Sequence, residues 1–203
     1  MGATKIMVIR HAEKPGTYAG QSHSGVNETG GTCGNEGAAS LVTLGWARAG
    51  ALITLFAPPW GPKTPTLATP RHIFASDPAA DGPNGKATSR RMYETVIPLA
   101  AKLGLPIDAR RRKEDYAKVV ADALGKEGVV LICWQHERIV SIGQRILAET
   151  NTTATLGVPT SWPAGLNGPR YDLIWVFDRP AGTGPITGFT QFAQMLLPGD
   201  AAA

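Results

Sequence analysis

Residues 129–133, Val-Val-Leu-Ile-Cys, form an unbroken apolar run of strand length in which three of five side chains are β-branched. A strand with no polar side must be covered on both faces, and the connections that put helices on both faces of a sheet are βαβ crossovers. Three other segments have the same length and character: 5–10 (Lys-Ile-Met-Val-Ile-Arg), 72–76 (His-Ile-Phe-Ala-Ser) and Asp172–Asp178. Longer amphipathic stretches separate them. Near 38–57 the residues Leu41, Leu44, Ala51, Leu52 and Leu55 line one face, until Pro58, Pro59, Gly61 and Pro62 end the pattern. Over 89–104 Met92, Val96, Leu99 and Leu103 recur at helical spacing, stopped by Gly104 and Pro106. A shorter helix is predicted over 115–126, and another after Cys133 carries Ile139, Ile142 and Ile146 on one side. Strands alternating with helices along the whole chain predict an α/β fold: a three-layer sandwich, its central sheet mostly parallel, with helices on both faces. At 203 residues the expectation is one domain over 1–203.

Three segments break the rhythm, 15–37, 77–88 and 151–170, all rich in Gly, Pro, Asn and Thr. Loops of this length are commonly functional, and 15–37 and 77–88 are expected to wall a pocket. That pocket is expected outside the carboxyl ends of the strands, where open α/β sheets bind ligands. The first strand runs at that edge into Arg10-His11-Ala12-Glu13-Lys14-Pro15. Arg90 and Arg91 open the second long helix, and His136 follows the central strand after Trp134 and Gln135. Cations in the first turn of a helix oppose its macrodipole, so the pair suggests that an anion completes the site. Guanidinium forks match phosphate oxygens bidentately. Two imidazoles and two guanidiniums about one point describe a pocket for a tetrahedral dianion, in which a neutral histidine can attack phosphorus.

The residues that carry this chemistry also carry a resemblance. Arg10-His11-Ala12-Glu13 is similar to the RHG or RHA signature of the histidine phosphatase superfamily, the phosphoglycerate mutase-like family. Val42-Thr43-Leu44-Gly45-Trp46-Ala47-Arg48-Ala49 resembles its LTxxGxxRA helix motif, and Ala75-Ser76 leads to an arginine four before a threonine, Arg91 and Thr95. With His136 the matches span about 5–148 in the family's order. The resemblance implies that His11 is the nucleophile that becomes phosphohistidine, that Arg10, Arg91 and His136 bind the transferring phosphoryl group, and that no metal or organic cofactor takes part. The chain departs from the family in its inserted 77–88 segment, which makes Arg90 a rival to Arg91, although Arg91 has the better spacing. Glu137, beside His136, is the first choice for proton donor, with Glu114 as the alternative.

Other features are assigned more ordinary roles. The 20 basic and 16 acidic side chains leave +4, which suits an anionic partner of any kind. Arg110-Arg-Arg-Lys113 is the one dense charge run and reads as a solvated face; without interleaved aromatics a nucleic-acid partner is not expected. Cys33 and Cys133 form neither a disulfide framework nor a metal-ligand spacing. Trp46, Trp60, Trp134, Trp162 and Trp175 are read as core or pocket-wall residues, Trp134 being a candidate to line the site. No stretch reaches the ~18 apolar residues of a membrane span, and residues 1–9 lack the apolar core of a leader, so the expected setting is cytoplasmic. The expected activity is hydrolysis of a phosphorylated small molecule or phosphoprotein. A mutase-type phosphotransferase and a catalytically weak phosphate or phosphoprotein-binding module remain as alternatives, and neither substrate nor oligomeric state is legible.

Overall fold

The computed structural model describes residues 1–18, 21–27, 39–61, 64–79, 89–165 and 168–202. A six-stranded sheet is built from β1 (Ala3–Arg10), β4 (His72–Ser76), β5 (Ile107–Arg111), β6 (Gly128–Trp134), β9 (Leu173–Asp178) and β10 (Gly188–Ala193), in the order β10-β9-β1-β6-β4-β5. Strands β1, β6, β4 and β5 are mutually parallel, with Met7 opposite Leu131 and Ala75 opposite Cys133. On the other side β9 runs antiparallel to β1, Ile9 facing Ile174, and β10 runs antiparallel to β9. Two small hairpins, β2 (Gly16–Tyr18) with β3 (Gln21–His23) and β7 (Ala164–Gly165) with β8 (Gly168–Pro169), stand apart from the sheet.

The period of two in β1 divides the core. Met7 and Ile9 face one layer with Ile73, Leu131, Ile174 and the helices α1 (Thr43–Phe56) and α2 (Arg91–Leu103), which contribute Leu52, Phe56, Met92 and Val96. Ile6 and Val8 face the other, with Val130, Ile132, Trp175 and the helices α3 (Tyr116–Leu124) and α4 (His136–Glu149), which contribute Val120, Ile139, Ile142 and Ile146. The α/β three-layer sandwich is therefore present, with a mostly parallel sheet. Because α1 leaves β1 on one face and α4 leaves the adjacent β6 on the other, a crevice opens between the carboxyl ends of these two strands.

Several expectations need correction. The first helix begins at Thr43 rather than near 38, and its buried face is Gly45, Arg48, Ala49, Leu52 and Phe56; Leu44 points outward. Two strands of the six-stranded sheet were not expected. β5 has the polar sequence Ile-Asp-Ala-Arg-Arg and sits at the parallel edge, so no apolar run marks it. It takes in the first half of the basic run, where Arg110 pairs with Asp108 and Arg111 with Asp122. β10 follows a Gly and Pro-rich turn and mixes Thr and Gln with two phenylalanines. Trp60 is 94% exposed, and Trp134 is buried in the α3–α4 layer with its indole N–H donated to Lys113 O at 2.9 Å, so neither lines the crevice. Of the three long segments, 28–38 and 80–88 lie outside the described residues, as does Cys33, and 151–170 contains the β7–β8 hairpin. Among the described residues no helix is long and apolar enough to cross a membrane.

Candidate functional site

β1 delivers Arg10 and His11 to the crevice. The ladder to β6 continues one bond past the strand, from His11 N–H to Trp134 O at 3.1 Å, and then the chain turns away. Both side chains are buried, 2% and 3% exposed. His11 Nδ1 lies 2.7 Å from Ala12 O. A carbonyl oxygen can only accept, so Nδ1 carries the hydrogen and the neutral ring presents Nε2 as a lone pair. Burial, then the positive charges of Arg91 and Arg10, push the imidazole well below its ordinary value; the Ala12 bond opposes this and His136 adds to it. The ring is thus held neutral beside two permanent cations.

Arg10 is fixed by the chain entering β9. Its Nη1 donates to Arg170 O at 3.1 Å, and its Cζ stands 4.2 Å from the centroid of the Tyr171 ring. Tyr171 also flanks His11, with ring centroids 5.9 Å apart. Arg170 O accepts a second bond from Trp162 Nε1 at 3.1 Å.

The second arginine comes from the start of α2, where Arg90 is the N-cap and Arg91 the first helical residue. Arg90 N–H bonds Ala39 O, and its side chain faces Glu94, Nε to Oε1 3.7 Å. Glu94 is fully buried and its other oxygen accepts Leu41 N–H at 2.8 Å. The charge of Arg91 acts on His11 and is the largest charge contribution to its lowered pKa.

His136 is the first residue of α4, following the extended N-cap Gln135. Its Nδ1 is 3.1 Å from Glu137 Oε2. Burial and the charge of Arg10 lower its pKa, Glu137 opposes them, and Lys14 contributes a further lowering. Glu137 is 61% exposed in its side chain. Glu114 is engaged elsewhere: Arg138 reaches its Oε2 with Nε at 2.9 Å and Nη2 at 2.5 Å. Arg10, His11, Arg91, His136 and Glu137 therefore form one electrostatic neighbourhood, whereas Arg90 and Glu114 are committed to partners beside it.

Beneath the site lies a buried ionic network. Arg48 on α1 donates to Glu13 Oε1 from Nη2 at 2.8 Å and Nε at 2.9 Å, to Asp200 Oδ1 at 2.6 Å, and to Gln194 Oε1 at 3.0 Å. Burial alone would raise Asp200, but the Arg48 bond and the N–H groups of Leu196 and Leu197 hold it below the usual carboxylate range. This network pins the residues after His11 to α1 and to the C-terminal segment. Cys133, at the end of β6, is buried and its thiol is pushed up by that burial, which leaves it no nucleophilic character. Among the described residues no three His, Cys, Asp or Glu side chains converge on a point that could hold a metal ion.

Tyr171 is a structural member of the site that sequence reasoning did not single out, whereas Thr95 was named there only as the residue four after Arg91. The signal for Tyr171 was its position: it precedes the apolar run 173–177, and once that run pairs antiparallel with β1, Ile174 beside Ile9, residues 171–172 must lie next to 10–12. Chemically, the arrangement offers an unprotonated imidazole nitrogen in the field of two guanidiniums, which favours attack on an electrophile that carries negative charge.

No protein-family model matches the chain. No curated protein matches it in sequence. Among solved structures it is similar to the crystal structure of "the putative phosphohistidine phosphatase SixA from Agrobacterium tumefaciens", with 19% identity, a TM-score of 0.43, and coverage of 92% of this chain and 97% of that one.

Proposed function

We propose that the chain is a phosphomonoester hydrolase of the histidine phosphatase type that works through a phosphohistidine on His11. The observation that carries this reading is the state of His11: a buried, neutral imidazole whose tautomer is set by Ala12 O and whose neighbours are the permanently charged Arg10 and Arg91. A general base would need its proton affinity near the working pH, whereas a ring held neutral by cations is suited to nucleophilic attack on a dianion.

In the first step Nε2 of His11 bonds to phosphorus as the ester P–O bond breaks. Arg10, Arg91 and His136 take up the charge on the three equatorial oxygens. The leaving alkoxide receives a proton from the carboxyl group of Glu137, which sits beside His136 at the open edge of the site; Glu114 is the less suited donor because Arg138 engages it. In the second step the Glu137 carboxylate accepts a proton from water, the oxygen bonds to phosphorus, and the N–P bond breaks to return neutral His11 and inorganic phosphate. The exposure of Glu137 favours transfer to water over return to a bound product, the mutase alternative. The substrate is a phosphorylated small molecule or a phosphoprotein.

The test is hydrolysis of p-nitrophenyl phosphate by wild type and His11→Ala, with EDTA present. A parallel sample incubated with substrate is quenched in alkaline detergent and examined for phosphohistidine. Turnover and a phosphoenzyme that both vanish in His11→Ala are expected. A phosphoenzyme without sustained phosphate release would point instead to a catalytically weak phosphate-binding module. Undiminished turnover in His11→Ala would overturn the reading.

A further inference from the structure

We propose that Tyr171 is a positioning residue whose ring face sets the Arg10 guanidinium and whose flank walls the His11 imidazole, so that both meet a bound oxyanion in one fixed orientation, an assignment that rests on the phosphoryl site proposed above. Arginine side chains carry large rotamer freedom, and a guanidinium that must address a phosphoryl group is useful only where that freedom is removed beforehand. Arg10 loses it from two directions. The Tyr171 ring lies 4.2 Å beneath Cζ, and Arg170 O accepts from Nη1 at 3.1 Å. The same ring stands 5.9 Å from the His11 ring at 49°, so a single side chain borders both the nucleophile and its first cation.

Tyr171 is itself held rigidly, as a positioning group must be. Its carbonyl accepts Gln194 Nε2 at 3.3 Å, and Gln194 in turn accepts from Arg48, the centre of the ionic network under Glu13. On its other side Arg170 grips Asp172 with Nε at 2.7 Å and Nη2 at 2.8 Å, and donates to Ala201 O at 2.8 Å. Ala201 N–H closes the loop onto Asp172 at 3.0 Å. Tyr171 as a whole is 5% exposed. A cation over a desolvated aromatic face is attracted by the ring quadrupole, an effect that depends on ring electronics and not on ring size.

That dependence supplies the experiment. Phenylalanine and its mono-, di- and trifluoro forms are placed at 171; they keep the shape of the ring and progressively weaken its face. Orthophosphate affinity is followed by calorimetry and the His11 imidazole by NMR titration. Measured against Tyr171→Phe, whose ring differs from the series only in fluorine, affinity should fall stepwise with fluorination. Tyr171→Leu, which removes the face altogether, should bind phosphate about tenfold more weakly and let His11 titrate at higher pH, nearer its ordinary value. A merely structural ring would give a flat series. The proposal is overturned if neither orthophosphate affinity nor the His11 titration follows fluorination. If wild type neither binds orthophosphate nor turns over substrate, the phosphatase reading fails, and the His11 titration across the series still decides the role of Tyr171.

Discussion

The hydroxyl of Thr95 joins the two segments that carry Arg91 and His11: Oγ1 accepts Ala12 N–H at 2.9 Å and donates to Arg91 O at 2.7 Å. One buried side chain thereby fixes the start of α2 against the residue that follows His11. Thr95→Val keeps the volume and orphans the Ala12 N–H, a loss of about 1–3 kcal/mol in stability by urea unfolding. Thr95→Ser should recover most of it. Because Ala12 O also holds the His11 tautomer, Thr95→Val should lower kcat more than it raises KM, and a variant that unfolds earlier with unchanged kcat would contradict the link.

Gly45 on α1 shows why a helix can pass so close to the segment that follows His11. A Cβ there would lie 2.6 Å from Glu13 O and 3.0 Å from Glu13 N, both backbone atoms that cannot swing aside. Gly45→Ala should therefore cost about 1–3 kcal/mol and displace the segment after His11. Gly50, one and a half turns later, has nothing within 4 Å of its Cβ position. Gly50→Ala should stabilise the protein by about 0.5–1 kcal/mol. Thermal unfolding of the two variants should shift the midpoint in opposite directions.

Arg48 neutralises two carboxylates, Glu13 and Asp200, in a buried setting. Arg48→Met leaves both without their cation, at a cost of about 3–5 kcal/mol. The double variant Arg48→Met with Glu13→Gln should recover part of the loss, since one of the stranded charges is removed. Equilibrium unfolding of the single and double variants measures this coupling, and strictly additive effects would contradict a shared network.

How much of this could be read from the chain follows a physical line. Strands buried on both faces declare themselves by composition, so β1, β4, β6 and β9 were all recognisable, and so were Arg10, His11, Arg91 and His136, which stand where these strands end or the following helices begin. β5 was not, because an edge strand with Asp108, Arg110 and Arg111 buries little and carries no apolar pattern. Glu13 and Arg48 each fell within a motif, but their pairing spans 35 positions and depends on how α1 crosses the sheet. Tyr171 depended on one fact a local pattern does not contain, the antiparallel direction of β9.

The protonation state of His11 makes stability depend on pH in a definite direction. In the unfolded chain this imidazole takes up a proton near its ordinary value of about 6.5. In the folded protein burial and the charges of Arg91 and Arg10 hold it neutral to well below that. Between the two values the unfolded state binds more protons, so stability falls as pH drops from about 6.5, and the effect is absent at higher pH, where both states are neutral. His136, also lowered by burial and Arg10, adds to the same trend. Urea unfolding from pH 5 to pH 8 should show a declining acid limb that becomes shallower in His11→Asn, because that side chain has nothing to titrate. A slope identical in wild type and His11→Asn would mean that His11 is not held neutral by the fold. The same depression places the acid limb of kcat/KM due to His11 below the usual histidine range, so activity should persist at pH values where an ordinary imidazole is already protonated.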